Sequence, residues 1–396
     1  ANRALKQPCY PDQPQSRETE SFTRSSTISH QSSQPCCQVI VDIMDAWPET
    51  FYQALPKPLR KMLGPVLLAP LHRSAKRAYQ DADKISAVGQ SYLDLASRYL
   101  GKKWSVVSDQ GADGRSCALQ PQHLEAEATI GTTAEARRYG HPQSKTLKPM
   151  FLCYHGTDLD RFQRSRSEGE TVKGESEKHD NIPHSSFLIS NSLNTPLRAV
   201  YLGAMGSGYD LQTIIDVAAH WKAEGTFPFQ IHFAGDGPQI EKLKSESRKL
   251  KLLDPEPSHL HTFTPSTASS ARVVFHGFLQ KEAITDLLLS SDVALVPNRP
   301  DSLVACPYKA GEYAAAGLPM ISCLRDELNQ LLSQWNAGSG YNEGDVESLH
   351  TAFKNYSTGS NLLNQQSCNT RKMAEALFDR EKTYSALAEF ILENDE

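Results

Sequence analysis

The chain has 396 residues, 39% hydrophobic and 22% charged, with 46 acidic against 41 basic side chains for a net charge of −5. That length predicts two domains plus extensions. The apolar fraction allows sizeable cores, and the acidic balance gives no whole-chain reason to expect a nucleic-acid partner. No apolar run approaches the ~18 residues a membrane span needs.

The eight cysteines, Cys9, Cys36, Cys37, Cys117, Cys153, Cys306, Cys323 and Cys368, contain no CxxC pair and no His/Cys cluster of zinc spacing. They read as reduced cytosolic thiols. His259 and His261 make an HxH in a polar loop without a third ligand, so no metal is expected. The start, ANRALKQPCY, has neither an initiator Met nor a signal-peptide pattern and reads equally as a fragment or as a processed chain.

Residues 1–37, rich in Ser, Gln, Thr and Pro, cannot bury enough apolar surface to offset ordering entropy and read as a disordered tail. VIVDI then reads as a buried parallel strand. A helical period follows at Leu67, Leu71, Ala75 and Ala78, then strand KISAV and a helix from near Ser91. Residues 101–148 are polar without a clear period, and MFLCY is a strand. Polar, charged 163–196 reads as a linker or insertion. From there strands RAVYLG, FQIHFAG, RVVFHG, DVALVP and LPMISC alternate with helical stretches. Pro238 and Pro307 suit first helical positions. Such alternation predicts a parallel sheet covered by helices on both faces. At least two helices close the chain, the last near 380–393.

Three segments carry candidate chemistry. In YLGAMGSGYDL, Gly203, Gly206, Ser207 and Gly208 lie between a strand and a helix, where glycine admits a close ligand and helix N–H groups favour phosphate. A plain strand–helix turn explains this segment equally well. In FAGDGPQI, Gly235, Asp236 and Gly237 form a tight turn at a strand's C-terminal end, where open α/β sheets bind ligands. Alone, it reads first as an ordinary turn. In DVALVPNRPDSLVACPYKAGEYAAAGLP, Lys309 and Glu312 share one face of a helix start. Lysine and helix N–H groups suit a diphosphate, and a carboxylate suits two adjacent ribose hydroxyls. An isolated KxxE is as readily an ion pair; behind this loop the ligand reading leads.

The ordered set YLGAMGSG, AGDGP, VVFHGFLQKE, DVALVP and EYAAAGLP, followed by NAGSGYNEGDVESL, resembles the C-terminal domain of glycosyltransferase family 4, a retaining GT-B family. VDIMDAWPE, ADKISAVGQSY and YHGTDLDRF resemble segments of its bacterial surface-polysaccharide members. The resemblance implies a GT-B fold of two Rossmann-like α/β domains, the N-terminal one incomplete. It places a partial acceptor domain at 38–162, a nucleotide-sugar domain at 197–375 and a C-terminal helix at 376–396. It implies donor contacts from Gly203, Gly206, Ser207, Gly208, Gly235, Asp236, Gly237, Phe278, Ser302, Lys309 and Glu312, and no obligatory metal or other cofactor. The family's usual loop Arg falls on Ala204, its loop Lys is not evident, and the first of its paired glutamates falls on Val304. PYKAGEY fits the polysaccharide subgroup's P-x-K-x-x-E-Y, so Lys309 would replace the lost charge.

Asp42, Asp45 and Glu49 are the acceptor-side carboxylates, Asp45 being best placed for a general base after its strand, though a turn cap explains it equally. The expected reaction is hexosyl transfer from a nucleotide diphosphosugar to a hydroxyl of a lipid-linked or oligosaccharide acceptor in polysaccharide biosynthesis. A nucleotide-sugar epimerase of the same fold and a catalytically silent binding relic are the alternatives. The protein is expected to be cytoplasmic. Residues 50–80 carry Lys57, Arg60, Lys61, Arg73, Lys76 and Arg77 without an acidic residue, interleaved with leucines, and would suit peripheral contact with an anionic inner leaflet. Pro56, Pro58, Pro65 and Pro70 break any long helix there and favour packing into the domain instead.

Overall fold

The computed structural model describes residues 38–101, 104–107, 148–163, 196–253 and 272–393. The expected tail, nearly all of the linker, and the HxH lie outside the described residues. The described residues form two compact units, one within Ala1–Val88, Tyr92–Leu152 and Phe390–Glu396, the other within Gly89–Ser91 and Cys153–Glu389.

The first unit contains strands β1 (Ile40–Ile43), β2 (Lys84–Ala87), β3 (Trp104–Val107) and β4 (Lys148–Leu152), paired in parallel in the order β1-β2-β4-β3. β3 falls where the sequence has no clear period, its WSVV being a short run at the start of a long polar stretch. Lys84 is fully buried in β2, its ammonium satisfied by the carbonyls of Phe390 (2.6 Å) and Glu393. Helices α1 (Lys57–Met62), α2 (Gly64–Leu67) and α3 (Ala69–Asp81) follow β1. Each has a proline in its first turn, so Pro58, Pro65 and Pro70 divide the basic stretch into three pieces. α4 (Gln90–Leu100) follows β2.

The second unit is a six-stranded parallel sheet. Its strands are β5 (Leu197–Leu202), β6 (Phe229–Ala234), β7 (Val273–Gly277), β8 (Val293–Val296), β9 (Met320–Ser322) and β10 (Gly338–Gly340), in the order β10-β9-β8-β5-β6-β7. Helices α5 (Leu211–Ala223), α6 (Ile240–Lys249), α7 (Lys281–Leu289), α8 (Tyr308–Ala315), α9 (Glu327–Trp335) and α10 (Val346–Ser357) connect or follow them. α11 (Ser360–Leu377) and α12 (Arg380–Leu392) close the described chain. Pro238 precedes α6 by two residues, and Pro307 stands just before α8 rather than inside it.

Alternation explains how both faces are covered. Ala199 and Tyr201 of β5 and Phe229, Ile231 and Phe233 of β6 join one core with Ile214 and Trp221 of α5, Leu243 of α6 and Phe353 of α10. The intervening Val200, Leu202 and Ala234 are buried on the other face, where Tyr313 of α8 accepts a hydrogen bond from Leu202 N at 2.8 Å. Trp221 and Phe229 each pack on Phe353, with ring centroids 5.0 and 4.7 Å apart. Truncating one of these to Ala costs about 3–5 kcal/mol. Strand order reverses between β5 and β8, which pair directly. Loops leaving those two strands at their C-terminal ends diverge and open the crevice in which such sheets bind ligands.

Candidate functional site

Four loops meet at this reversal, all within the second unit. Gly203 ends β5, and its N–H donates to Ala234 O at 3.0 Å. Gly235 ends β6 with φ +132°, and a β-carbon on it would collide with the carbonyl of Gly203. Gly235 N in turn donates to Gly277 O at 2.7 Å, bringing in the end of β7 and the exposed Phe278 beyond it. One on, Asp236 is exposed and its carboxylate caps Gly237 N at 2.7 Å, while its carbonyl accepts from Met205 N at 2.8 Å. Gly235 and Gly237 are thus required by backbone lying on backbone, a β-carbon on Gly237 colliding with the main chain of Met205. Gly206 and Gly208 differ: a β-carbon on either would meet nothing within 4 Å. Neither falls in the left-handed region, so the fold itself makes no demand for glycine at either position.

The β8 loop closes on the same place. Gly208 O accepts from Arg299 N at 3.0 Å, and Asp210 N donates to Pro297 O at 2.7 Å. Asp210 is buried, accepting from Thr213 Oγ1 (2.8 Å) and Gly344 N (3.0 Å), and Arg299 pairs with Glu343. Ser302 lies in a 3-10 turn, Pro300–Ser302, and its hydroxyl is buried without a hydrogen-bond partner among the described residues.

Lys309 begins the second position of α8, and its Nζ comes within 3.3 Å of where a β-carbon on Gly203 would stand. The ammonium sits over the faces of Tyr201 and Tyr209, 4.4 and 4.7 Å from their centroids. It is buried and has no hydrogen-bond partner among the described residues. Loss of water pushes its pKa down to about 7. The tyrosine faces compensate part of that burial.

One turn on, Glu312 pairs with Arg161 at 3.4 Å, both side chains mostly buried. Arg161 also donates to Thr285 Oγ1 at 3.1 Å and Lys281 O at 3.4 Å at the start of α7. Sequence reasoning missed Arg161, Tyr201 and Tyr209. The first lies in the quoted YHGTDLDRF segment; the tyrosines occupy strand and loop positions that motif spacing does not mark.

Gly203 therefore touches both Gly235 and Lys309, and Gly237 packs on Met205 of the first loop, with Gly206, Ser207, Gly208, Ser302 and Glu312 in the same loops or helix. Asp45 belongs to the first unit, exposed in the turn after β1, where its carbonyl accepts from Trp47 N at 2.7 Å. Its neighbours have structural partners: Asp42 accepts from Ser86 Oγ at 2.7 Å and Glu49 from Tyr99 OH at 3.0 Å.

No curated protein sequence matches the chain. Among solved structures, WaaG, a glycosyltransferase involved in lipopolysaccharide biosynthesis, superposes with a TM-score of 0.52 at 13% identity, covering 89% of this chain and 75% of that one. Anabaena Alr3699/HepE in complex with UDP and glucose matches with a TM-score of 0.45 at 16% identity, over 84% and 83% of the two chains. The fold is GT-B. Residues 196–357, which contain every loop of the site described above, match the family described as "Glycosyl transferases group 1".

Proposed function

We propose that the protein is a glycosyltransferase that moves a hexose from a nucleotide diphosphosugar to a hydroxyl of a lipid-linked or oligosaccharide acceptor, with retention of configuration. The observation that carries this reading is Lys309. A buried ammonium without a hydrogen-bonding partner is costly to keep, and this one stands at a helix N-terminus beside two glycine loops. A diphosphate would supply the missing acceptors. Lys309 and the first amides of α8 would then stabilise charge building on the leaving group. Gly206 and Gly208 leave room for it, and Ser302 offers an unused hydroxyl. Glu312 would hold the ribose hydroxyls, with Arg161 orienting the carboxylate. No step in this scheme requires a metal or other cofactor. Asp45 is the proposed base on the acceptor side.

The acceptor class rests on the polysaccharide-type motifs and on the basic stretch of the first unit, which suits work at a cytoplasmic membrane face. No described helix is long and apolar enough to cross a membrane; α1 and α2 instead expose Met62, Val66 and Leu67 beside Lys61.

Calorimetry against UDP, GDP, ADP, CMP and their sugars tests the donor reading. One nucleoside diphosphate series should bind, and Glu312→Ala should weaken it by roughly 1.5–3 kcal/mol, the range for hydrogen bonds to a charged group. Binding unchanged in a folded Glu312→Ala protein rules out the ribose role. Binding by none of the series, with the wild-type chain folded, favours a silent relic. Release of free sugar or a product on added acceptor separates transfer from epimerisation.

A further inference from the structure

A second cluster lies at the opposite end of α5 from the glycine loops. His220 and Glu224 stand one turn apart, with His220 Nε2 3.3 Å from Glu224 Oε1. His350 of α10 completes the group, its ring 4.9 Å from that of His220 at an interplanar angle of 80°. One ligand atom from each of the three falls within 4.8 Å of the others. The geometry points to a binding site for a zinc-class divalent cation, held by His220, Glu224 and His350, that ties α5 to α10.

The donor set carries the assignment. Two imidazoles and a carboxylate are the borderline nitrogen–oxygen ligands that zinc takes in three-ligand sites, leaving a fourth position to water. Ligands about 2.0–2.1 Å from zinc in a tetrahedron stand about 3.3 Å apart. The His220–Glu224 separation already matches this, and rotation of the His350 ring would shorten the remainder. His350 Nδ1 is buried without a partner among the described residues, although an imidazole that binds or donates through one nitrogen gains from using the other. The cluster is also open on one side: the side chains of His220 and Glu224 are 37% and 45% exposed, which gives an ion a way in. Finally, Glu224 ends α5, where the helix dipole favours positive charge.

A simple His–Glu ion pair explains the helical spacing. It does not account for a second imidazole brought against the pair from another helix. The underlying frame is rigid, because Trp221 and Phe353, next to His220 and three on from His350, pack edge-to-face at 5.0 Å. α5 is 13 residues, about 20 Å long, so an ion here would be remote from the glycine loops. Its effect would be on stability, by mass action on the folded state. The signal was scattered in sequence: HxxxE on one helix, with the third ligand far downstream.

The test is titration of the full chain, freed of metal by chelator and kept reduced, with Co2+ as a spectroscopic probe and then Zn2+. A visible d–d band of tetrahedral intensity without a thiolate charge-transfer band is expected, displaced by Zn2+. The melting temperature should rise with Zn2+. His350→Gln and Glu224→Gln should each weaken binding at least tenfold and remove the thermal shift. Should His350→Gln not fold, Glu224→Gln, at an exposed helix end, decides alone. Binding that is unchanged in Glu224→Gln, a thiolate band, or no binding at all overturns the assignment.

Discussion

The ammonium of Lys309 lies 4.4 Å above the ring of Tyr201, and no described oxygen accepts from it. On the proposed donor reading, this contact would couple the stability of the fold to the binding of a diphosphate. Burial lowers the Lys309 pKa to about 7 from an ordinary 10.5. The unfolded chain therefore binds the extra proton between about pH 7 and 10.5, and this group's contribution to stability rises with pH across that window. Lys309→Met should raise the stability of the unliganded protein by about 1–3 kcal/mol, as replacing buried charge by apolar volume often does. It should also flatten that slope and weaken nucleoside diphosphate binding at least tenfold. In the wild type, affinity should fall as pH rises above 7, with proton uptake on binding visible in buffers of different ionisation enthalpy. A pH-independent affinity from 7 to 9 would exclude the coupling.

The two kinds of glycine in the site should separate under substitution. Gly235 has both a positive φ and the Gly203 carbonyl in the way of a side chain. Gly235→Ala should destabilise by about 2–4 kcal/mol in denaturant unfolding, through strain and backbone displacement. Gly208 has neither restraint. Gly208→Ala should leave stability within about 0.5 kcal/mol yet reduce nucleotide binding at least tenfold. Full binding in that variant would show that no ligand approaches Gly208.

Most of the second unit was legible in its residues, because fully buried parallel strands and amphipathic helices differ in length and period. RAVYLG, FQIHFAG and DVALVP coincide with β5, β6 and β8 to within a residue or two. The glycine loops and KxxE were legible because turns and helix starts constrain residue type locally. Glycine pattern alone did not reveal that Gly235 and Gly237 serve backbone packing while Gly206 and Gly208 do not, since that depends on contacts between loops. Nor did spacing reveal Tyr201 beneath Lys309 or Arg161 beside Glu312, partners far apart in the chain. β3 and β10 escaped for another reason: WSVV is a short run at the edge of a long polar stretch, and GSG carries no apolar side chain.

A stacked histidine pair should make the second unit acid-sensitive. His232 of β6 and His276 of β7 meet with Nδ1 and Nε2 2.9 Å apart, and Gln230 holds the other nitrogen of His232 at 3.0 Å. Burial, then His276 and Arg198, lowers the His232 pKa to about 3, and burial lowers His276 as well. Folded-state pKa values below the unfolded value of about 6.5 mean that stability is whole above pH 6.5 and declines as pH falls towards 3. At pH 5 the loss from His232 alone is about 2 kcal/mol, from 1.5 pH units at 1.36 kcal/mol each. Denaturant unfolding at pH 7 and pH 5 should show this difference, and His232→Gln should shrink it. An equal acid loss in the variant would assign the effect elsewhere.

The first unit offers a test at the membrane. Met62 is 76% exposed, Val66 71% and Leu67 57%, on two short helices that proline keeps separate. Lys61, Arg73, Lys76 and Arg77 are exposed on the same stretch, while Arg60 is partly occupied with the carbonyl of Gln53 at 3.3 Å. The prolines did not lead these apolar side chains to be packed away; they set helices short enough to present them. Burying such residues in the interface is favourable by about 25 cal/mol per Å2, and each well-placed basic group adds about 1 kcal/mol on an anionic surface. Co-sedimentation with vesicles should therefore show binding to anionic but not neutral lipid at low salt, declining as the ions screen it. Changing Lys61, Arg73, Lys76 and Arg77 to Gln should abolish the preference for anionic lipid. Met62→Ser with Val66→Ser should weaken binding at every salt concentration, since screening does not touch the apolar part. Equal partitioning of the wild type to neutral and anionic vesicles at low salt would leave the basic stretch as an ordinary solvated surface.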